Sequence, residues 1–127
     1  MYMVNSNNTA SLDTDRSKPK FILQYHNNAS QIQHILPSDS HFLQKQAELS
    51  KAIMASHFHI EEIYISMDTI THTNTTTRYV SKIQFKGSGI ATFSASKESE
   101  KYLDIVIANL NDAIQFIRDT KERLKDR

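Results

Sequence analysis

The feature that most constrains the fold of this chain is an apolar stripe near its C-terminus. Seven residues recur at steps of one, three and four: Leu103, Val106, Ile107, Leu110, Ala113, Ile114 and Ile117. This spacing keeps side chains on one side of an α-helix, so it predicts a helix with one face packed on a core. Ser96 is available to cap this helix, and Glu98 and Glu100 suit the positive end of its dipole. After Ile117 only Leu124 is apolar, so the last turns are expected to project beyond the core.

Three segments before this helix alternate with the period of two that is typical of β-strands. They cover residues 62–71, 78–86 and 90–96. The first places Ile63, Ile65 and Met67 on one face, and the second places Tyr79, Ser81, Ile83 and Phe85 on one face. The third presents Ala91, Phe93 and Ala95 on one face. Between the last two lies Gly87-Ser88-Gly89, and glycine tolerates the positive φ that a tight hairpin requires.

The first half of the chain predicts one strand and one helix. Residues 20–26 alternate as a short strand, and residues 27–37 form a polar connection in which Ile32, Ile35 and Leu36 are embedded. Ser38, Asp39 and Ser40 offer N-caps for a helix over about residues 40–56. Its apolar face is expected to carry Phe42, Leu43, Gln46, Leu49 and Ile53.

These elements predict the fold class and the domain organisation. The order β-α-β-β-β-α favours an α+β fold, a four-stranded sheet with two helices packed on one face. Residues 1–19 are rich in Asn, Ser, Thr and Asp and are predicted to be a disordered tail. Residues 20–127 are predicted to form a single domain, since no repeat or second apolar pattern is present.

Composition excludes several classes of protein. The chain has no cysteine, which rules out disulfides, thiol catalysis and thiolate metal sites and is typical of a reducing cytosol. No apolar run reaches the roughly 20 residues that span a bilayer, and the N-terminus lacks the pattern of a secretory signal. A cytoplasmic location is therefore expected.

Catalytic and metal sites have little support in the sequence. The chain has six histidines, and His57-x-His59 could place two imidazoles together, but a metal site needs three or four converging ligands. Neither a phosphate-cradling glycine motif nor a nucleophile with its base can be recognised. We therefore expect no catalytic residues, no metal site and no cofactor.

The formal charge is only +1, but the basic residues are concentrated on particular elements. Two groups stand out as candidate phosphate contacts, in the strand and turn region and at the end of the last helix: Arg78, Lys82, Lys86, Lys97 and Lys101, and then Arg118, Lys121, Arg123, Lys125 and Arg127. The alternative for the strand is an ordinary solvated face with edge-protecting lysines. The alternative for the helix end is relief of the negative end of the dipole.

The second half of the chain resembles a known family. Thr71-His72-Thr73 follows a strand, a β-hairpin closes with Ser94-Ala95, and the last helix ends in Lys121-Glu122-Arg123-Leu124-Lys125. In this order and spacing, residues 60–127 resemble the bacterial ribosome hibernation promoting factors and ribosome-associated translation inhibitors. The first half agrees in the order of strand and helix.

The resemblance implies a function, a set of partners and a set of site residues. Members of this family bind the small ribosomal subunit near the decoding centre and block mRNA and tRNA binding, which inhibits translation in stress or stationary phase. Short members also act with a second hibernation factor in ribosome dimers, and neither a membrane nor DNA is a partner. The resemblance implies rRNA contacts from Arg78, Lys82, Lys86, Lys97, Lys101, Arg118, Lys121, Arg123 and Lys125. His72 could position a loop or contact RNA, or be an exposed side chain without a role.

The chain also departs from the family. Asp112 and Gln115 stand where the family often has basic residues, and Asp112 would repel phosphate. The connection over residues 27–38 is longer than the family's usual one. These differences motivate an alternative, a protein–protein interaction module of the same fold that has lost ribosome binding. A continuous basic face would favour RNA binding, and a face interrupted by acidic side chains would favour the interaction module.

Overall fold

The computed structural model describes residues 18–71 and 77–125, and these residues form the elements that the sequence predicts, in the predicted order. The strands are β1 (Lys20–Tyr25), β2 (Glu62–Thr71), β3 (Thr77–Gly87) and β4 (Ile90–Ser99). The helices are α1 (Ser40–Met54) and α2 (Tyr102–Lys125). His72, most of the predicted tail (1–17) and residues 126–127 lie outside the described residues, whereas Pro19 is buried.

The four strands form one sheet in the order β1-β2-β3-β4. β1 pairs with β2 in parallel, and the other two pairs are antiparallel. The core side chains of the strands alternate with exposed ones, and the core-facing set packs against residues of α1 and α2 such as Leu49 and Leu110. Both helices therefore cover one face of the sheet, and the α+β prediction is confirmed. Within residues 18–71 and 77–125, no helix is long and apolar enough to cross a membrane.

The connection between β1 and α1 contains two short 3-10 helices, Asn27–Ile32 and Leu36–Ser38. They bury Ala29, Ile32 and Leu36, which explains why apolar residues are embedded in a polar segment. α1 then begins after Asp39, whose carboxylate accepts a hydrogen bond of 2.9 Å from the backbone N–H of Phe42. The N-cap prediction is thus confirmed at one of the three candidate residues.

The apolar face of α1 is narrower than the sequence predicts. Phe42, Leu49 and Ile53 are buried, whereas Leu43 is 47% exposed. Residue 43 lies about 100° around the helix from residue 42, so it points away from the sheet that residue 42 contacts. The prediction that Leu43 belongs to the core is wrong.

β4 is longer than predicted, and this moves the start of the last helix. The strand continues to Ser99, so Ser96 lies within the sheet opposite Lys82 and does not cap α2. Glu98 pairs with a strand residue, and Asp104 is the acidic residue in the first turn of α2. The predicted positions of Ser96 and Glu98 at the helix start are therefore wrong, because strand pairing with β3 outweighs a local capping preference, whereas Glu100 lies at the bend two residues before α2 begins.

The hairpin between β3 and β4 contains an irregularity that changes which side chains face the core. The register shifts between Phe85 and Gly87, so that Phe85 pairs with Phe93 and Gly87 pairs with Ile90. Ile90 packs against the core and Ala91 is exposed, contrary to the prediction that Ala91 shares a face with Phe93 and Ala95. A bulge adds one residue to one strand and so reverses the alternation beyond it.

Both glycines of this hairpin are needed, for different reasons. Gly89 has φ of 81°, which lies in the left-handed region that favours glycine. At Gly87 a Cβ atom would lie 2.4 Å from the carbonyl oxygen of His59, so a larger residue would separate the two backbones. The same contact includes a hydrogen bond of 3.1 Å from the Ser88 N–H to that oxygen.

Two aromatic contacts and one hydrogen bond fix α2 on the sheet. The ring of Tyr102 lies 5.4 Å from that of Tyr79, and the ring of Phe116 lies 4.9 Å from that of Phe93. Between them the buried Asn109 donates a hydrogen bond of 2.9 Å to the carbonyl oxygen of Ser81. Beyond Ile117 every described side chain is exposed except Thr120, which is partly buried, so the predicted projection of the helix end is confirmed.

Candidate nucleic-acid interface

The cations of β3 lie on the face of the sheet that the helices leave open. Arg78, Lys82 and Lys86 are spaced by four residues, an even number, so a strand places them on one side. Ser81, Ile83 and Phe85 between them are buried on the other side. Lys82 and Lys86 are exposed and make no ion pair with the described acidic residues.

Acidic side chains interrupt this open face. Nε of Arg78 donates a hydrogen bond of 2.7 Å to a carboxylate oxygen of Glu98 across the β3–β4 pair, and that bond offsets its charge. Asp68 and Glu62 on β2 point to the same face, because they alternate with the buried Ile63, Ile65 and Met67. The three cations of β3 therefore do not form a continuous basic stripe.

Asp68 is held in its ionised form by its surroundings. The side-chain amide of Asn27 donates a hydrogen bond of 2.7 Å to its carboxylate, and the backbone N–H of Thr69 donates a second. These bonds, with smaller contributions from the charges of His26 and Lys82, lower the pKa of Asp68 below its ordinary value. Asn27 has a φ of 54°, a left-handed conformation that asparagine tolerates, and its bond to Asp68 ties the first 3-10 helix to β2.

Lys97 and Lys101 lie apart from the cations of the open face. Lys97 is the register partner of the buried Ser81, so it lies on the face that the helices cover. Its ammonium lies 2.5 Å from a carboxylate oxygen of Asp112 on α2. This ion pair links β4 to α2 and leaves Lys97 partly buried. Asp112, expected from the sequence to repel phosphate, has its charge offset in the same pair. Lys101 is exposed at the bend before α2, where its backbone N–H donates a hydrogen bond to the hydroxyl of Ser99.

The end of α2 forms the second group of predicted site residues. Arg118, Lys121, Arg123 and Lys125 are exposed, with Asp119 and Glu122 between them. Asp119 accepts a hydrogen bond of 2.8 Å from Gln115, and Arg123 donates one of 3.2 Å to the hydroxyl of Thr120. None of the four cations forms an ion pair with an acidic side chain of residues 18–71 or 77–125.

α1 contributes a cation to this group that the sequence reasoning missed. Lys51, in the last turn of α1, lines a shallow groove together with Glu48 of the same helix and with Arg118 and Lys121 of α2. The ends of α1 and α2 lie side by side because the two helices run in the same direction, since the strands that precede them, β1 and β4, point the same way. The sequence places Lys51 near the end of the predicted helix, where a cation is expected. Its proximity to Arg118 depends on how the two helices pack.

Tyr64 was also missed. It lies on the open face of β2 and is 39% exposed. Its hydroxyl donates a hydrogen bond of 2.5 Å to Glu62, and this bond raises the pKa of the phenol. The alternation of β2 predicts that Tyr64 points away from the core, so an exposed aromatic residue could have been read from the strand pattern.

The open-face cations and the α2 cations lie on different sides of the sheet but towards the same end. Phe116 packs on Phe93, and Phe93 pairs with Phe85 immediately before the hairpin. Residues after Phe116 therefore leave the sheet beside that hairpin, close to the end of β3 that carries Lys86. The nine predicted residues divide into the open face, the partly buried Lys97, the bend residue Lys101 and the α2 end.

Comparisons with known proteins add no family assignment, because neither a protein-family model nor a curated protein matches this chain. The described residues also contain no group of three or more His, Asp or Glu side chains that could hold a metal ion. The interpretation of the site therefore depends on its geometry and on the family resemblance of residues 60–127.

Proposed function

We propose that this chain binds the small ribosomal subunit near the decoding centre and blocks the binding of mRNA and tRNA. The action is steric and non-catalytic, and it inhibits translation in stress or stationary phase in the cytoplasm. The partners are the subunit and its rRNA, with a second hibernation factor as a further partner in ribosome dimers. The observation that carries the proposal is the projecting basic end of α2.

Packing does not account for this projection. Residues 118–125 extend the helix by about 12 Å, at 1.5 Å per residue, past the last buried side chain. Leu124 is the single apolar side chain among them and is 45% exposed. An extension without a core contact gains little stability from burial, so another role is expected of the side chains that it carries.

The dipole of α2 accounts for only some of its basic residues. Cations stabilise a helix end chiefly within its last turn, which includes Arg123 and Lys125. Arg118 lies about two turns before the end and shares its groove with Lys51 of the neighbouring helix. Dipole relief applies to Lys51 in the last turn of α1 as well, but not to Arg118, so an anionic ligand better explains why these two cations share one groove.

The placement of the two cation groups favours a large ligand. Lys82 and Lys86 point away from the helix layer, whereas Arg118 and Lys121 belong to it. A ligand that contacts both groups must surround one end of the domain. RNA lining a channel has that form, and lysine and arginine contacts to its phosphates release counterions and so provide affinity.

A second candidate function is favoured by a specific observation. Arg78 is paired with Glu98, Lys97 is paired with Asp112, and Glu62 and Asp68 share the open face with Lys82. These acidic residues interrupt the open face in the way expected of an interaction module for another protein. At the α2 end Glu48, Asp119 and Glu122 lie among the cations, but none of them forms an ion pair with Arg118 or Lys121, and for this reason we place ribosome binding first.

Sedimentation through sucrose tests the proposal directly. The full chain is mixed with purified small subunits, large subunits or assembled ribosomes, and the pelleted protein is measured. We expect it to pellet with small subunits and ribosomes, and to be displaced when mRNA and tRNA are bound first. Pelleting with large subunits alone would contradict the proposal, and no pelleting at low salt would contradict it and favour the interaction module.

A further inference from the structure

The open face of the sheet carries an aromatic side chain that the core does not use. Among the Phe and Tyr residues in 18–71 and 77–125, Tyr64 alone is exposed. It lies on β2, an interior strand of the sheet, and neither helix packs on that side. An exposed ring in the middle of an open sheet face can stack against a flat ligand.

The neighbours of Tyr64 define the surface around the ring. In the sheet register Tyr64 lies between Ile22 of β1 and Gln84 of β3, at the short lateral spacing of paired strands. Ile22 provides an apolar flank, and the amide of Gln84 can both donate and accept hydrogen bonds. The bond from the Tyr64 hydroxyl to Glu62 holds the ring in place and raises the pKa of the phenol.

Cations flank this ring on two sides. Lys82 and Lys86 lie two residues before and after Gln84, so they point to the same face. Lys20 pairs with Glu62 in register and points to that face as well. Glu61 and Glu62 border the same shallow depression beside Lys86, and Glu62 is the register partner of Lys20, so the net positive charge lies on the β3 side.

We propose that Tyr64 is the stacking platform for one unpaired nucleotide of a single-stranded RNA segment. The base stacks on the Tyr64 ring beside Ile22, the amide of Gln84 bonds to the base edge, and Lys82 and Lys86 bind the adjoining phosphates. This inference deepens the proposed function, on which it rests for the identity of the RNA, by assigning the open face to an unpaired segment.

The chemistry of the site selects this ligand class. A base in a duplex is stacked between its neighbours, so a ring on a sheet surface reaches only an unpaired one. The lysines on the β3 side complement a phosphate chain, and the exposed aromatic ring complements a base. Base stacking on an aromatic side chain tolerates different bases, so Tyr64 is expected to contribute affinity more than sequence selectivity.

Binding to a labelled eight-nucleotide adenylate oligomer, measured by fluorescence anisotropy, tests the site without the ribosome. We expect Tyr64→Ala to weaken binding by about 5- to 150-fold, which corresponds to the stacking of one base. Tyr64→Phe retains the ring and should bind within about twofold of the wild type. Ile70→Ala is the matched control, since Ile70 is exposed on the same face of the same strand and carries no ring.

Intrinsic fluorescence gives a second readout, because the chain has five tyrosines and no tryptophan. Stacking of a base should quench part of the tyrosine emission in the wild type, and this part should be absent in Tyr64→Ala. If circular dichroism shows that Tyr64→Ala is unfolded, Tyr64→Leu replaces it, since leucine keeps the apolar bulk and removes the ring.

The same variants in ribosome sedimentation separate this inference from the proposed function. Equal oligomer binding by wild type and Tyr64→Ala would overturn the stacking site, whether or not the wild type pellets with small subunits. Loss of ribosome binding without loss of oligomer binding would also overturn it, because the ring would then contact a protein. Weaker oligomer binding by Tyr64→Ala, with no ribosome binding by the wild type, would leave the stacking site standing and contradict the proposed function.

Discussion

The end of α2 and the open face of the sheet carry similar cations in different electrostatic surroundings. On the open face Arg78 is bonded to Glu98, and Asp68 lies close enough to Lys82 for their charges to interact. At the α2 end Arg118 and Lys121 share a groove with Lys51 and Glu48, and neither forms an ion pair with a described acidic residue. The difference shows that the number of basic residues on an element does not determine how many remain available for phosphate. Availability depends on which acidic side chains the fold places beside them.

The largest expected effect is the salt dependence of ribosome binding. If about six phosphates are neutralised, raising salt from 50 to 200 mM should weaken binding by about a thousandfold, because releasing the same counterions gains less entropy when the bulk salt concentration is higher. Sedimentation or fluorescence titration at several salt concentrations gives the slope. An affinity that does not change with salt would mean that neither the α2 end nor the open face of the sheet binds RNA phosphates.

Reversing two charges at the α2 end should produce the next largest effect. Lys121 and Lys125 are one turn apart and share a face of the helix. Lys121→Glu/Lys125→Glu should weaken ribosome binding by about 30-fold or more at 0.15 M salt, since each lost phosphate contact costs about fivefold. The free energy of unfolding should change by about 0.5 kcal/mol or less, as is usual for exposed positions.

The dipole interpretation predicts the opposite balance for this double variant. It expects a measurable fall in melting temperature, because negative charge is placed at the negative helix end, and little effect on binding. Lys121→Arg/Lys125→Arg is the matched control, since it keeps both charges and should keep binding. Sedimentation and thermal melting on the same samples decide between the two interpretations.

A smaller effect should distinguish two cations within the open face. Lys82→Gln should weaken binding by about fivefold, the contribution of one phosphate contact near 0.15 M salt. Arg78→Gln should change binding by less, because Glu98 already offsets the charge of Arg78. Titrations of both variants against the same small subunits measure the difference. If Arg78→Gln has the larger effect, the bond to Glu98 does not persist in the complex.

The smallest expected effect concerns Asp68 and pH. Hydrogen bonds from Asn27 and Thr69 lower the pKa of Asp68 in the folded state, so its ionised form stabilises the fold at pH values above its ordinary pKa of 3.8. That stabilisation is lost as pH falls from there through the lowered folded-state pKa. Asp68→Asn should therefore unfold at lower urea concentration than the wild type at pH 7, and the gap should narrow towards pH 2. A gap independent of pH would mean that the carboxylate charge is not what stabilises this contact.

The fold was largely predictable from local patterns, and the errors share one cause. The period of two in residues 62–71 predicted the observed bounds of β2, and the helical period of residues 103–117 predicted most of the buried face of α2 but not Ile105 and Asn109. The predictions for Ser96 and Ala91 were wrong, because each depends on the pairing of β4 with β3. Local propensity favours a cap at Ser96, but hydrogen bonding along a neighbouring strand extends β4 through it.

The site was only partly predictable for a related reason. Alternation along β3 was enough to place Arg78, Lys82 and Lys86 on one face, and the thinning of apolar residues after Ile117 predicted the exposed helix end. The proximity of Lys51 to Arg118 was not predictable, because those residues are far apart in the chain and meet only where two helices pack.

By itself, then, the sequence of this protein determined the identity and order of its elements, the core faces of β2 and α2, and the projection of the α2 end. These follow from periodicity, which is a property of neighbouring residues. The tertiary structure alone decided that Lys97 is paired with Asp112, that Glu98 offsets Arg78, and that Lys51 joins the α2 cations. Charges interact through space over a few ångströms, and which side chains come that close depends on strand register and helix packing.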